Sequence, residues 1–149
     1  MNSRGALYSV WADGSYRDST AKVGAGWLIR HDGFERDGFK SIDKLDRLDR
    51  PRGSDIAEMF AVSCSLREIP SGSTVHLHMD CKNILEWIVQ RRLGSKTTPT
   101  LGRFFEEVML GTEKLAHLDV SFHNGRNNAG INRVHILSRR ASSPQSPRL

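Results

Sequence analysis

The sequence predicts an α/β fold, a mixed β-sheet with helices packed against it, on three observations. Segments that alternate apolar and polar residues recur along the chain, and segments with apolar residues three and four apart lie among them. Their order reads β-β-β-α-β-α-α-β-α, which points to a mixed sheet carrying helices. The 149 residues, 38% of them hydrophobic, are enough for one domain with a sizeable core.

The first strand is read over 6–12, where Tyr8, Val10 and Trp11 suit extended backbone, and it stops on Asp13-Gly14-Ser15. Asp-Gly is a strong turn signal, so Asp13 is either a turn residue or a carboxylate held at a strand end. "VGAGWLIRH" (Val23–His31) is the second strand, with Ala25, Trp27 and Ile29 on one face. "GFERDGFKSID" is the third, polar and therefore expected towards an edge. The acid-base mixture "DKLDRLDRPRG" reads as a solvated connection.

Ser54 is the expected N-cap of the first helix, with Asp55 near the positive end of its dipole. In "DIAEMFAVSCSLREI", Ile56, Met59, Phe60 and Leu66 recur at helical spacing before Pro70. "STVHLHMD" alternates Val75, Leu77 and Met79 with His76, His78 and Asp80, and is a strand. "KNILEWIVQRRL" is a helix with Ile84, Leu85 and Ile88 as its stripe. "TTPTLGRFFEEVMLGTEKL" gives a turn and a helix, and "LDVSFH" the last strand. Ile131, Val134, Leu137 and Ala141 define a final helix. The domain is therefore expected over 1–141, with 142–149 a disordered Pro- and Ser-containing tail.

Lys and Arg number 22 against 17 Asp and Glu, a net charge of +5 with a pI near 9.6. That excess hints at a polyanionic partner. Cys64 and Cys81 fit no zinc spacing and read as free thiols in a reducing cytosol. No early apolar run resembles a signal peptide and no stretch reaches the ~20 apolar residues of a span, so a cytoplasmic location is expected.

Asp13 and Asp80 each close a predicted strand, and Glu58 sits early in the helix between them. Strand ends in one sheet can converge, and a helix across the sheet can bring Glu58 to the same spot. Crowded carboxylates repel one another and need a divalent cation to neutralise them. Oxygen ligands with open water positions suit Mg²⁺, whose usual work is phosphate chemistry. Spacing alone also allows three unrelated surface carboxylates.

The wording of these segments resembles the type 1 ribonuclease H family over roughly residues 5–141. "WADGSYRDSTAKVGAGWLIRHDG" resembles its opening strand, small-residue loop and Gly-Ala-rich second strand. "SDIAEMFAVSCSLREI" resembles its glutamate-bearing helix, and "VHLHMDCKNILEWI" its strand, Asp turn and next helix. "LDVSFHNGRNNAGINRVHILSRRA" resembles its closing strand, loop and last helix. The resemblance implies a ribonuclease H-like fold, a five-stranded mixed sheet flanked by helices. It also implies an endonuclease that cuts the RNA strand of RNA–DNA hybrids with two divalent ions, Mg²⁺ or Mn²⁺, and leaves a 5′ phosphate. Asp13, Glu58 and Asp80 would be catalytic metal ligands. His135 stands where the family has a fourth aspartate, and it is either a metal-site residue or a core histidine.

His123 is the nearest match to a loop histidine that aids product or proton departure in the family. Hybrid contacts would fall to Ser15, Ser19, Gly53, Ser54, Lys82, Arg91, Arg92, Lys96 and Arg103. The expected state is a monomer. A non-catalytic nucleic-acid-binding module of the same fold, or a related DNA nuclease such as a junction resolvase, are the alternatives. His76 and His78 could form a second metal site, but partners facing a packed sheet explain them more simply.

Overall fold

The structure, a computed structural model, describes residues 6–94, 97–125 and 127–144. Strands β1 (Leu7–Arg17), β2 (Lys22–His31) and β3 (Phe34–Ile42) precede a short 3₁₀ turn, Arg50–Arg52, and helix α1 (Gly53–Leu66). Strand β4 (Thr74–Met79), helices α2 (Lys82–Gln90) and α3 (Pro99–Glu113), strand β5 (His117–Phe122) and helix α4 (Ala129–Ser142) complete the chain. The element order matches the sequence pattern, and the fold is the expected five-stranded mixed α/β sheet.

The strands lie in the order β3-β2-β1-β4-β5, with β3 on the edge as its polarity predicts. β1, β2 and β3 pair antiparallel, while β4 pairs parallel with both β1 and β5. Alternation sends Val10, Ala12, Val23, Ala25, Trp27, Ile29, Val75, Leu77 and Met79 to one face, where they form the main core with α1. α1 packs on β1 and β2 and is covered in turn by α3, which explains why almost every residue from Ile56 to Leu66 is buried. α4 crosses β2, β1 and β3 and closes a smaller cluster of Trp11, Leu28, Ile131 and Val134.

Two close approaches set these helix positions. A Cβ on Gly14 would stand 2.1 Å from the carbonyl carbon of Ala57 and 2.3 Å from the amide nitrogen of Glu58, so only glycine lets α1 lie so near β1. On the other face Gly24 and Gly26 do the same for α4, whose Ser138 backbone would meet their added carbons at 2.2 and 2.7 Å.

Several local expectations change. β1 runs through Asp13-Gly14 to Arg17, with Asp13 opposite Gly26, so the dipeptide is neither a turn nor a strand end. Its glycine serves helix approach. Ser54 lies inside α1, and Arg52 occupies the N-cap without a side-chain cap bond, because the 3₁₀ turn through Pro51 already supplies helical entry. α2 stops at Gln90, where Arg91 takes a left-handed conformation at φ 58°. The charged connection is not wholly solvated: Leu45 and Asp49 are buried. Leu45 donates its N–H to Ala21 O at 2.8 Å, and Asp49 accepts from the backbone N–H and hydroxyl of Thr100 at 3.0 and 2.5 Å. Asp49 thus serves the first turn of α3 from 51 residues away.

α4 extends through Ser142, one residue into the expected tail, and 145–149 lie outside the described residues. Cys64 and Cys81 are free thiols. Among the described residues no helix is long and apolar enough to cross a membrane. On the β3 edge, Arg133 of α4 bridges Glu35, at 3.2 Å, and Asp37.

The glycine contacts carry a test. Gly14→Ala is expected to destabilise the protein by about 3 kcal/mol, since the clash is with helix backbone that cannot rotate away. Gly102→Ala, in α3, would meet only Thr97 Oγ1 at 3.3 Å and is expected to gain up to about 1 kcal/mol. Urea unfolding of the two variants measures both, and a Gly14→Ala protein as stable as the parent would refute the account of α1.

Candidate functional site

β1 and β4 are parallel neighbours only as far as the Trp11–His78 pair. Beyond it β1 continues alone beside β2, while β4 ends at Met79 and hands over to Asp80. Asp13 therefore lies on a paired, rigid strand just past the end of its other neighbour. From the opposite face, the Gly14 approach brings Glu58 to the same point, where the Gly14 N–H donates to Glu58 Oε1 at 2.8 Å. Asp13, Glu58 and Asp80 each place a carboxylate oxygen within 4.8 Å of the others, as the sequence grouping anticipates.

The fourth predicted member arrives on α4. His135 Nδ1 stands 3.2 Å from Asp13 Oδ2, and Ser138 Oγ donates to the same oxygen at 3.1 Å. His135 is thus in contact with the cluster through Asp13 and is not an isolated core histidine. It is not among the residues whose ligand atoms converge. With Asp13 ionised, Nδ1 carries the proton of that bond, which leaves Nε2 as the free nitrogen. Ser138, one turn beyond His135, was not anticipated; its spacing of three from a proposed site residue on a helix was the available signal.

The electrostatics are uncompensated. Among the described residues no Lys or Arg pairs with Asp13, Glu58 or Asp80, and His135 is the sole basic side chain at Asp13. Burial, then the charge of Asp80, raises the Asp13 carboxyl to about 6 against the pull of His135 and Ser138. Burial and the Asp13 charge raise Glu58 well above the usual carboxylate range, although the Gly14 N–H opposes them. Buried acids in this condition suit a bound cation, and an all-carboxylate oxygen set fits a hard divalent ion.

The other predicted residues are dispersed. His123 follows β5, donates its N–H to Met79 O at 2.8 Å, and places Nε2 2.8 Å from His78 Nδ1. His78 stacks on Trp11, and burial followed by the neighbouring His76 and His123 lowers its pKa to about 4. Ser15 shares a 2.5 Å hydroxyl contact with Ser142, and Gly53 is buried against the ring of Tyr16. Ser19, Ser54, Lys82 and Arg92 are exposed, at the β1–β2 turn, the first turn of α1, the start of α2 and just past its end. Arg91 binds Thr112 at 3.0 Å and Glu113 at 2.8 Å, tying α2 to α3. Arg103 lies over Phe104, 4.0 Å from Glu107. Lys96 lies outside the described residues.

Solved structures share this architecture. The N-terminal RNase H domain of Rv2228c from Mycobacterium tuberculosis superposes with a TM-score of 0.72 at 15% identity, over 92% of this chain and 99% of that one. RNase H1 from the halophilic archaeon Halobacterium salinarum gives 0.70 at 15% identity, over 91% and 96%. The chain has the ribonuclease H-like fold. No protein-family profile matches its sequence, and a search of curated proteins gives no match.

The raised carboxyls predict how the metal-free protein responds to pH. Asp13's folded-state pKa above its unfolded value means that its own contribution to stability is full below about pH 4 and is lost as pH rises through about 6. Asp13→Asn removes that loss and is expected to be up to about 3 kcal/mol more stable than the parent at neutral pH in a chelator, with the gain gone at acid pH. Equal stability of variant and parent across the pH range would contradict the buried-charge account.

Proposed function

We propose that this protein is a type 1 ribonuclease H, a metal-dependent endonuclease that hydrolyses the RNA strand of RNA–DNA hybrids and leaves a 5′ phosphate, acting as a cytoplasmic monomer. The observation that carries the reading is the meeting of Asp13, Glu58 and Asp80 on a ribonuclease H-like fold with, among the described residues, no Lys or Arg paired to them. Binding alone has no use for buried negative charge beside a phosphate backbone.

Asp13, Glu58 and Asp80 would hold two divalent ions, Mg²⁺ or Mn²⁺. Such ions, when bound, supply a polarised water for in-line attack and neutralise charge on the departing 3′ oxygen. The Gly14 N–H fixes the carboxylate of Glu58, and Ser138 and His135 orient that of Asp13. His135 removes one negative charge from the place where the family has aspartate, and it would act on the metal site through its contact with Asp13. His123 would assist proton or product departure.

The exposed Ser19, Ser54, Lys82 and Arg92, with Lys96, would meet the hybrid backbone, and the 2′-hydroxyl would distinguish RNA from DNA. Ser15, Gly53, Arg91 and Arg103 would contribute by shaping or charging the surrounding surface. Binding on these terms depends strongly on salt and little on sequence.

The test is a labelled hybrid incubated with and without Mg²⁺ or Mn²⁺. Asp80→Asn is expected to abolish cleavage while hybrid binding survives. Turnover near that of the parent would overturn the assignment, and cleavage of duplex DNA instead would favour a DNA nuclease. His135→Asp is expected to shift the metal preference towards Mg²⁺, because imidazole suits Mn²⁺ better than it suits Mg²⁺. Rates of parent and variant in each metal measure the shift, and an unchanged ratio would assign His135 a packing role.

A further inference from the structure

His76 and His78 do not face a packed sheet. Their neighbours Val75, Leu77 and Met79 fill the core, so the histidines point to the opposite face. On that face α4 packs over β1, β2 and β3, while β4 and β5 hold up a polar surface: His76 beside Asp119 and His78 beside Ser121 in the parallel register. His123 joins them, its backbone fixed by the bond to Met79 O.

We propose that His78, His123 and His76 form a binding site for a transition-metal ion of the zinc class, distinct from the carboxylate cluster. His78 Nδ1 and His123 Nε2 already face each other at 2.8 Å, so one of them carries a proton that a metal would displace. Zinc–nitrogen bonds of about 2.0–2.1 Å put two ligand nitrogens of a tetrahedral ion roughly 3.3 Å apart, so the rings need part by only about half an ångström.

The site has a rigid wall. His78 stacks on Trp11 with ring centres 4.6 Å apart, and Trp11 Nε1 donates to Asn128 Oδ1 at 3.0 Å. His76 stacks on His78 at 4.1 Å and now spends Nε2 on Ser121 Oγ at 2.6 Å. As the rings stand the three nitrogens do not converge, so binding requires the His76 ring to turn off Ser121 and bring its nitrogen in as the third ligand. Two histidines at i and i+2 on one strand, with a third from the neighbouring strand's end, make a three-nitrogen set that leaves one position for water. Imidazole nitrogen selects zinc, cobalt or nickel, whereas the carboxylates select Mg²⁺ or Mn²⁺, so each ion has its own site.

The experiment is a titration of the full chain with Co²⁺ alone, read by visible ligand-field absorption, and with Zn²⁺ alone, read by calorimetry. Parent and Asp80→Asn are expected to bind one equivalent alike and to give the intense spectrum of four-coordinate cobalt. His123→Ala and His76→Ala are each expected to weaken binding at least tenfold. Paramagnetic broadening of the His76, His78 and His123 ring protons in the parent gives the same answer without any substitution. Absence of binding, binding lost in Asp80→Asn, or unchanged affinity in either histidine variant overturns the proposal. Because none of these readouts involves a nucleic acid, failure here leaves the nuclease reading standing, and failure of cleavage leaves this site standing.

Discussion

Backbone touching backbone at β1 and β2, without a Cβ between, is the contact on which the rest of the molecule depends. Gly14 admits α1 from one side, and Gly24 and Gly26 admit α4 from the other. With the helices at these depths, Glu58 reaches the Gly14 N–H and Ser138 and His135 reach Asp13. Ordinary side chains at the three glycines would hold the helices apart, and the carboxylates would be separate surface groups. The local chemistry is inexpensive; the depth of helix seating is what makes it possible.

That seating concentrates negative charge where little solvent reaches. Asp13 is only 3% exposed, and both it and Glu58 are harder to ionise than free carboxyls. A protein selected for stability alone would place an arginine there or remove an acid. The protein instead surrounds Asp13 with a serine hydroxyl and an imidazole, groups that orient the carboxylate without cancelling its charge. Perturbed ionisation of this kind clusters at functional sites.

Much of this architecture was legible in the sequence because its signals are periodic. Val75, Leu77 and Met79 announce β4, Ile84, Leu85 and Ile88 announce α2, and the polarity of "GFERDGFKSID" announces an edge. The grouping of Asp13, Glu58 and Asp80 followed from their places between those elements. Failures came where one residue type serves two physical ends. Asp13-Gly14 has the composition of a turn, but its glycine is demanded by a helix 44 residues away. Asp49 looked like one solvated acid among several, and the helix it serves was too distant for a local pattern to reveal. Ser54 was read as a cap because the 3₁₀ entry through Pro51 leaves no periodic trace. His76 and His78 alternate like any half-buried strand, and which helices cover which strands is a tertiary fact.

The ion pairs on β3 bear on crowding and solubility. An edge strand offers unpaired N–H and C=O groups to any passing chain. Here Phe34–Ile42 carries Glu35, Arg36, Asp37 and Lys40, and Arg133 clamps the two acids from above. A second copy trying to extend the sheet would have to bury those charges or break the clamp. At the far edge β5 is six residues long and carries Asp119, too short and too polar to serve as a template. Both borders of the sheet therefore carry features that oppose its extension by another strand, although Phe34 and Phe39 stand in solvent on the β3 edge.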